Sequence, residues 1–303
     1  MAQAPTTSGE GKYYVPHASP WPIFGSVSLF VLMAGAALTL EDSGAGPTLL
    51  TVGVVLVFTL FFGWFRTVIN ESEAGAYNLN VDRSFRMGMS WFIFSEVMFF
   101  AAFFGALFYA RQLALPWLSG EGAKHLTGEL LWNNFEAHWP SNGPGLLGPR
   151  ADGSFRTISP TGVPAINTLL LLTSGITVTI AHHALRANKR TLLSVFLAAT
   201  FLLGFLFVFL QAREYHEAYT ELGLTLGTGI YGSTFFMLTG FHGLHVTIGA
   251  IMLLVIWLRV LKGHFTPDRH FAFEGVAWYW HFVDVVWLFL FTFLYVIFGA
   301  GWH

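Results

Sequence analysis

The sequence contains no cysteine and few charged residues, and both absences narrow the kinds of protein it can encode. Without Cys among its 303 residues, the chain can form neither disulfides nor thiolate metal sites, and it has no cysteine nucleophile. Charged residues make up 11% of the chain and the formal net charge is −2, which gives no case for a nucleic-acid-binding surface. We therefore expect no nucleic-acid partner, and any metal site would need His and carboxylates.

What the sequence does contain is apolar and aromatic: 54% of its residues are hydrophobic, and it has 32 Phe and 11 Trp. This composition is typical of a polytopic membrane protein rather than a soluble domain. The polar first 20 residues lack the apolar stretch of a signal peptide, so no cleaved leader is expected. A membrane-spanning helix needs about 20 apolar residues, and seven segments qualify. They are residues 23–40, 48–66, 86–110, 164–186, 191–213, 231–259 and 275–299.

The seven segments predict an all-α protein with two helices set apart from the other five. We see no internal repeat, and this absence disfavours a transporter built from repeated halves. The predicted parts are an N-terminal tail (1–22), two helices (23–66), a connector (67–85), five helices with a long loop (86–299, loop 111–163) and a C-terminus (300–303).

The distribution of basic residues predicts the orientation. With the N-terminus in the cytoplasm, most of the 15 lysines and arginines fall in cytoplasmic segments, as the positive-inside rule requires. The loop at 111–163 and the C-terminus are then outside.

One carboxylate, Glu96, lies about ten residues into the third span, which is about 15 Å of helix. A charge at that depth is costly, so the carboxyl should be neutral or have a specific partner. Two interpretations stay open. Glu96 is either a proton-handling or gating acid, or a protonated carboxyl that hydrogen-bonds a neighbouring helix.

Two further polar pairs lie inside spans. His242 and His245 are three residues apart, as are His281 and Asp284, so each pair shares one helix face. Paired imidazoles can ligate haem or a metal. However, no second helix offers an obvious matching pair or a Glu-x-x-His motif, so helix–helix hydrogen bonding is favoured. We predict no metal site and no catalytic residue.

Eight sequence blocks combine unusual residues in long, specific runs. Together they resemble subunit III of the haem–copper cytochrome c oxidases over most of the chain. The blocks are SPWP (19–22), FSEVMFF (94–100), VPAINT (163–168), AHHA (181–184), LQAREY (210–215), YGSTFF (231–236), GFHGLHV (240–246) and WYWHFVDVVW (278–287).

The resemblance implies a non-redox accessory subunit of an aa3-type, proton-pumping cytochrome c oxidase. Haem a and copper would lie in partner subunits, which pass electrons from cytochrome c to oxygen, and this chain would hold no cofactor. It would pack directly against subunit I, in a complex that also contains subunit II, and would stabilise subunit I and sustain proton uptake. A V-shaped cleft between the two and the five helices would hold structural phospholipids. The long outer loop favours a bacterial source, hence the inner membrane, with the C-terminus in the periplasm.

The resemblance also assigns residues. Glu96 matches the family's carbodiimide-reactive carboxylate beside the lipid cleft, while Asn70 stands where the family often has arginine. Basic and hydroxyl groups at inner helix ends suit a phospholipid head group, although ordinary interfacial anchoring explains them equally well. Lipid-binding positions are Trp64, Phe65, Glu71, Ser72, Arg259, Lys262, His264 and Thr266; internal polar positions are His242, His245, His281 and Asp284.

Three different functions compete with this interpretation. A quinol-oxidase subunit III is disfavoured because such relatives tend to lack the first two helices. The second competing function is that of a stand-alone transporter, and the third is that of a membrane enzyme with a His-ligated metal.

Overall fold

The computed structural model describes residues 18–133, 135–297 and 299, and the regular structure among them is helical throughout. The predicted C-terminus at 300–303 and residues 1–17 of the predicted tail lie outside the described part. The α-helices are α1 (Trp21–Leu40), α2 (Gly46–Glu73), α3 (Leu79–Tyr109), α4 (Leu115–Leu118), α5 (His125–Leu130), α6 (Val163–Arg186), α7 (Arg190–Glu217), α8 (Gly229–Leu261) and α9 (Phe271–Leu290).

Seven helical stretches in the described residues are long and apolar enough to cross a membrane, which confirms the all-α class and the seven predicted spans. Turns of π-helix extend α3, α7 and α9 at their C-terminal ends. The spans are Trp21–Leu40, Gly46–Glu73, Leu79–Leu118, Val163–Arg186, Arg190–Leu222, Gly229–Leu261 and Phe271–Ile297.

The segment predicted as a connector, 67–85, is mostly helix. α2 continues to Glu73 and α3 already begins at Leu79. The Asn78 side-chain oxygen accepts hydrogen bonds from the backbone N–H groups of Asn80 and Val81, at 3.1 Å each, and so caps the start of α3. Polarity in this segment marks where an apolar span ends, but a helix continues wherever its backbone groups stay paired.

The chain divides into two compact units, Met1–Met87 and Gly88–His303. In the first unit, glycines allow the backbones of α1 and α2 to touch. A Cβ added at Gly53 would lie 2.5 Å from the Cα atom of Leu32, and one at Gly35 would collide with the backbone of Leu50. Small residues at helix contacts are the usual device for close packing in membranes. Large side chains such as Phe58 point outward from this hairpin and are exposed.

In the second unit, Trp280 of α9 lies at the centre of the bundle and is completely buried. Its Nε1–H donates to the Ser174 hydroxyl of α6 at 2.9 Å. The ring covers Gly204 of α7 and Gly249 of α8, where an added Cβ would approach ring atoms to 2.5 and 2.8 Å. One indole therefore joins α9 to three other helices.

Trp287, two turns further along α9, repeats this arrangement. Its Nε1–H donates to the Thr168 hydroxyl of α6 at 2.9 Å, and its ring meets Phe207 of α7 edge-on with centroids 4.8 Å apart. Edge-to-face contact is a favourable aromatic geometry. The two tryptophans fix the rotation of α9 about its own axis.

The long segment between α3 and α6 is tied to the second unit by hydrogen bonds. The Asn142 amide donates to the carbonyls of Leu147 and Gly153 at 2.9 and 2.8 Å. Arg150 donates to the carbonyl of Glu221, just beyond α7, at 2.7 Å. The segment therefore has a specific fold of its own, including α4 and α5, which the sequence did not predict.

The close contact of α1 and α2 in the first unit predicts opposite effects on stability for two glycine-to-alanine substitutions. Gly53→Ala places a methyl group against Leu32, and overpacking of this kind costs about 1–3 kcal/mol. Gly88→Ala in α3 is the control, since an added Cβ there meets nothing within 4 Å and alanine is favoured over glycine in helices by roughly 0.5–1 kcal/mol. Unfolding of the purified chain by SDS titration should show destabilisation in the first variant only. Equal shifts would contradict the close helix contact.

Candidate functional site

The carboxylate that the sequence places deep in the third span pairs with a histidine of another helix. Glu96 Oε2 on α3 lies 2.9 Å from His245 Nε2 on α8. The two side chains are only 22% and 11% exposed, respectively. Glu96 therefore has the specific partner that its depth requires, and this partner links two helices of the second unit.

The hydrogen bonds of His245 fix how many protons the pair holds. Its Nδ1 lies 2.6 Å from the carbonyl oxygen of Phe241. A carbonyl can only accept, so Nδ1 carries a hydrogen. The contact between Nε2 and Glu96 then contains one proton, bonded either to the carboxyl or to the imidazole. In both arrangements the pair has zero net charge, which lowers the cost of burying it.

Aromatic rings enclose His245 on several sides. The Phe100 centroid lies 5.1 Å from that of the imidazole, and the Tyr279 ring stacks on it at 6.3 Å with an interplanar angle of 19°. The Tyr279 hydroxyl also donates to the His245 carbonyl at 3.4 Å. These contacts hold the imidazole in one orientation. Sequence reasoning missed Tyr279, although its position in the same block as His281 was a usable signal.

His242 lies one turn from His245 but has different neighbours. Its Nε2–H donates to the carbonyl of Val283 on α9 at 3.1 Å, and the residue is fully buried. His242 therefore binds α9, whereas His245 binds α3. Two metal ligands on one helix face would point to a common position. The imidazoles of His242 and His245 instead bind two different helices.

His281 and Asp284 of α9 face the same place on α6. A Cβ added at Gly175 would lie 2.9 Å from Asp284 Oδ2 and 3.7 Å from His281 Nδ1. The Thr179 hydroxyl is 3.3 Å from His281 Nε2. The glycine leaves room for both side chains, so this polar pair also lies at a contact between helices.

The lipid-binding residues predicted at the end of α2 differ in their surroundings. Trp64 and Phe65 are exposed, which leaves two aromatic faces at this helix end. The Glu71 carboxylate instead accepts a hydrogen bond from the Tyr77 hydroxyl at 2.7 Å, and Ser72 is half-buried. The aromatic pair therefore remains available to a lipid, while Glu71 already has a protein partner.

The four predicted residues of the second unit lie at the C-terminal end of α8 and in the turn after it. Lys262 is exposed and His264 half-buried, while the Arg259 guanidinium lies 4.5 Å above the Phe265 ring. The Thr266 hydroxyl accepts the Arg269 N–H at 3.1 Å and so shapes the turn. Two basic groups are thus gathered at one helix end.

Glu214 is a buried acid that was not singled out in the sequence, and it is only 2% exposed. Its Oε1 accepts a hydrogen bond of 2.7 Å from the Tyr295 hydroxyl, beyond the end of α9. The signal was its spacing of three and seven residues from Gln211 and Phe207, which are also buried on α7.

Comparison with known proteins assigns the family. A family model described as cytochrome c oxidase subunit III matches residues 11–119 and 132–299. The chain belongs to the cytochrome c oxidase subunit III family. It is 41% identical to cytochrome c oxidase subunit 3 of Oncorhynchus masou over 284 residues, which are 93% of this chain and 96% of that protein. The protein of Hippopotamus amphibius gives the same figures, and that of Struthio camelus is 39% identical over 285 residues, 94% of this chain and 96% of that protein.

As a member of the subunit III family, the chain is a multi-pass membrane protein and an accessory subunit of a haem–copper oxidase complex of the respiratory chain. The family match is interrupted between residues 119 and 132, so the segment that contains α5 is where this chain departs from the family pattern. The relatives named above are eukaryotic, and the bacterial source remains a prediction.

The Glu96–His245 pair gives this subunit III a testable pair of variants. Glu96→Gln replaces the carboxyl with an amide that can donate to Nε2, so we expect assembly and stability to be kept and oxidase turnover to change only modestly. Glu96→Ala leaves Nε2 without a partner and should cost about 1–3 kcal/mol. SDS unfolding followed by tryptophan fluorescence measures this difference.

The exposed neighbour Ser95 provides the control, and Ser95→Ala should behave as wild type. Loss of the whole complex in Glu96→Gln, or equal damage by the glutamine and alanine variants, would contradict a role based on the shared hydrogen bond.

Proposed function

We propose that this chain is the non-redox subunit III of an aa3-type cytochrome c oxidase. Neighbouring subunits hold haem a and copper and move electrons from cytochrome c to oxygen while protons are pumped. The observation that carries this proposal is the Glu96–His245 contact of 2.9 Å. His245, a mid-span imidazole, is held by the Glu96 carboxyl on one side and by the Phe241 carbonyl on the other, so neither ring nitrogen is left for a haem or a metal.

The chain's first task is to stabilise subunit I. The second unit has a well-packed interior, yet it leaves large apolar side chains exposed, among them Leu169 and Ile176 of α6 and Leu244 and Ile251 of α8. Apolar surface of this kind in a membrane protein faces lipid or another subunit. Direct packing of one such face on subunit I, in a complex with subunit II, makes use of it.

The second task is to hold structural phospholipids at the cytoplasmic helix ends. Lys262 and Arg259 supply positive charge for a phosphate, and basic groups at this depth attract anionic head groups. Beside them, an open groove of about 600 Å³ runs between the start of α7 and the end of α8, with Arg190, Val260 and Leu261 in its wall. Its apolar wall suits an acyl chain, and Arg190 suits a phosphate.

The third task is to sustain proton uptake from the cytoplasmic side of a bacterial inner membrane, with the N-terminus in the cytoplasm and the C-terminus in the periplasm. The Glu96–His245 pair holds one proton that either partner can carry, which is the property that a proton-handling group needs. A quinol oxidase is the second candidate setting, and the choice of donor depends on the partner subunits.

Isolation of the assembly tests the proposal directly. A tagged copy of this chain, purified in mild detergent, should bring down haem a and the two larger oxidase subunits. The redox spectrum should stay with subunit I when this chain is stripped off. A chain that is isolated alone, or that keeps a chromophore of its own, would overturn the proposal and reopen the histidines as ligands.

The lipid role predicts a charge-dependent loss of phospholipid. Arg259→Ala should reduce the phospholipid that co-purifies with the complex, because a cation near the head group is worth about 1 kcal/mol. Arg259→Lys keeps the charge but weakens the stacking on Phe265, and it should retain most of the lipid. Mass spectrometry of extracted lipid per complex measures both.

Lys189→Ala is the control, since Lys189 is an exposed cation just before α7. Unchanged lipid in Arg259→Ala, or an equal loss in the lysine variant, would argue against an electrostatic contact between Arg259 and a lipid phosphate.

A further inference from the structure

Three ligand-type side chains meet where the end of α6 lies beside the start of α9. They are His182 in the last turn but one of α6, His270 immediately before α9, and Glu274 in the first turn of α9. One ligand atom from each lies within 4.8 Å of the other two. The Glu274 Oε1 atom is 3.4 Å from His182 Nε2 and 3.2 Å from His270 Nε2. Two imidazoles therefore converge on one carboxylate oxygen.

The two imidazole nitrogens are buried and have no hydrogen-bond partner within the part of the chain that the structure describes. His270 Nδ1 lies 3.2 Å from the Thr266 carbonyl, which can only accept, so in the neutral ring the hydrogen is on Nδ1 and the lone pair is on Nε2. A carbonyl in this position fixes the tautomer of many metal-ligating histidines. The lone pair of His270 Nε2 and the carboxylate oxygen are therefore 3.2 Å apart with no hydrogen bond between them, and a cation bound by both atoms would remove their repulsion.

Two of the three distances between ligand atoms match those of a transition-metal site. In a tetrahedral zinc site with bonds of 2.0–2.1 Å, neighbouring ligand atoms are about 3.3 Å apart. Both contacts to Glu274 Oε1 are already close to that length. The third pair, the two imidazole nitrogens, is no more than 4.8 Å apart, and binding of one ion by both would shorten this distance.

We propose that His182, His270 and Glu274 form a binding site for a divalent transition-metal ion of the zinc class. Two imidazoles and one carboxylate suit zinc, whereas magnesium and calcium prefer oxygen ligands alone. Three protein ligands leave a fourth position for water. The bound ion joins the end of α6 to the start of α9 and is a structural tie between them.

This site departs from the absence of metal that we predicted from the sequence. His270, immediately before α9, and Glu274, in its first turn, are four residues apart, and this spacing, which brings side chains to one face of a helix, was a usable signal. The third ligand, His182, belongs to another helix. In the sequence it forms a pair with its neighbour His183, and adjacent side chains diverge by about 100° on a helix, so this pair did not indicate a metal site. Arg186 acts electrostatically on His182, so its positive charge weakens the binding of a cation.

Zinc retention by the intact oxidase complex tests the site. The complex is dialysed against EDTA, loaded with one equivalent of ZnCl₂ and desalted, and zinc per complex is measured by mass spectrometry. We expect one zinc more in the wild type than in His270→Ala or Glu274→Gln, and an affinity at least about tenfold lower in those variants, since even outer-shell changes cost that much. His183→Ala is the matched control, because His183 is exposed on the same helix and should keep the zinc.

A second measurement needs no variant. The zinc X-ray absorption spectrum of the loaded wild type, corrected for the EDTA-treated sample, should show two imidazole ligands and a first shell near 2.0 Å. Equal zinc in the wild type and both ligand variants overturns the proposal, as does a spectrum without imidazole ligands. A wild-type complex that retains no zinc also overturns it, and would mean that the three side chains share a proton instead.

Discussion

A hydrocarbon environment offers no hydrogen bonds, so each polar side chain inside a span must find a partner within the protein. The second unit pairs several of these groups across helices, although the Asn167 amide of α6 is buried without a hydrogen-bond partner among the described residues. His245 binds Glu96 of α3, while His242 binds a carbonyl of α9. Because the partners are few and specific, each pair also fixes the rotation and the axial position of two helices. The requirement for internal partners thus selects one packing of spans whose other surfaces are mostly apolar.

Small residues make these pairings possible. Gly175 provides the space into which Asp284 and His281 point, and Gly204 and Gly249 accept the flat face of Trp280. The same principle holds the hairpin of α1 and α2 together in the first unit, although there the glycines bring backbone against backbone. Polar pairs and glycines therefore act together, since the glycines set the distance between helices and the polar pairs set which faces meet.

The sequence predicted the class and the spans because hydropathy is a property of each segment alone. It failed where the answer depends on distant residues. Glu96 and His245 are 149 positions apart, so neither residue reveals the other as its partner. The cap of α3 by Asn78 is a different case, because it is local and was masked only by the polarity of its segment. Glu214 points inward to Tyr295, which lies beyond the end of α9. Its spacing from Gln211 and Phe207 indicates burial but does not identify this partner. Assignment of the lipid-binding positions rested on family resemblance, and the geometry then distinguished Glu71, already bonded to Tyr77, from the exposed aromatic residues.

The single proton between Glu96 and His245 has a consequence for how the pair responds to an energised membrane. Its movement from one partner to the other displaces charge by less than the 2.9 Å that separates the heavy atoms. A unit charge gains about 2.3 kcal/mol per 100 mV only if it crosses the whole bilayer, which is about 30 Å thick. The transfer within the pair therefore senses roughly a tenth of the potential or less, about 0.2 kcal/mol per 100 mV. The position of this proton is governed by its aromatic and hydrogen-bonding surroundings and is nearly independent of voltage.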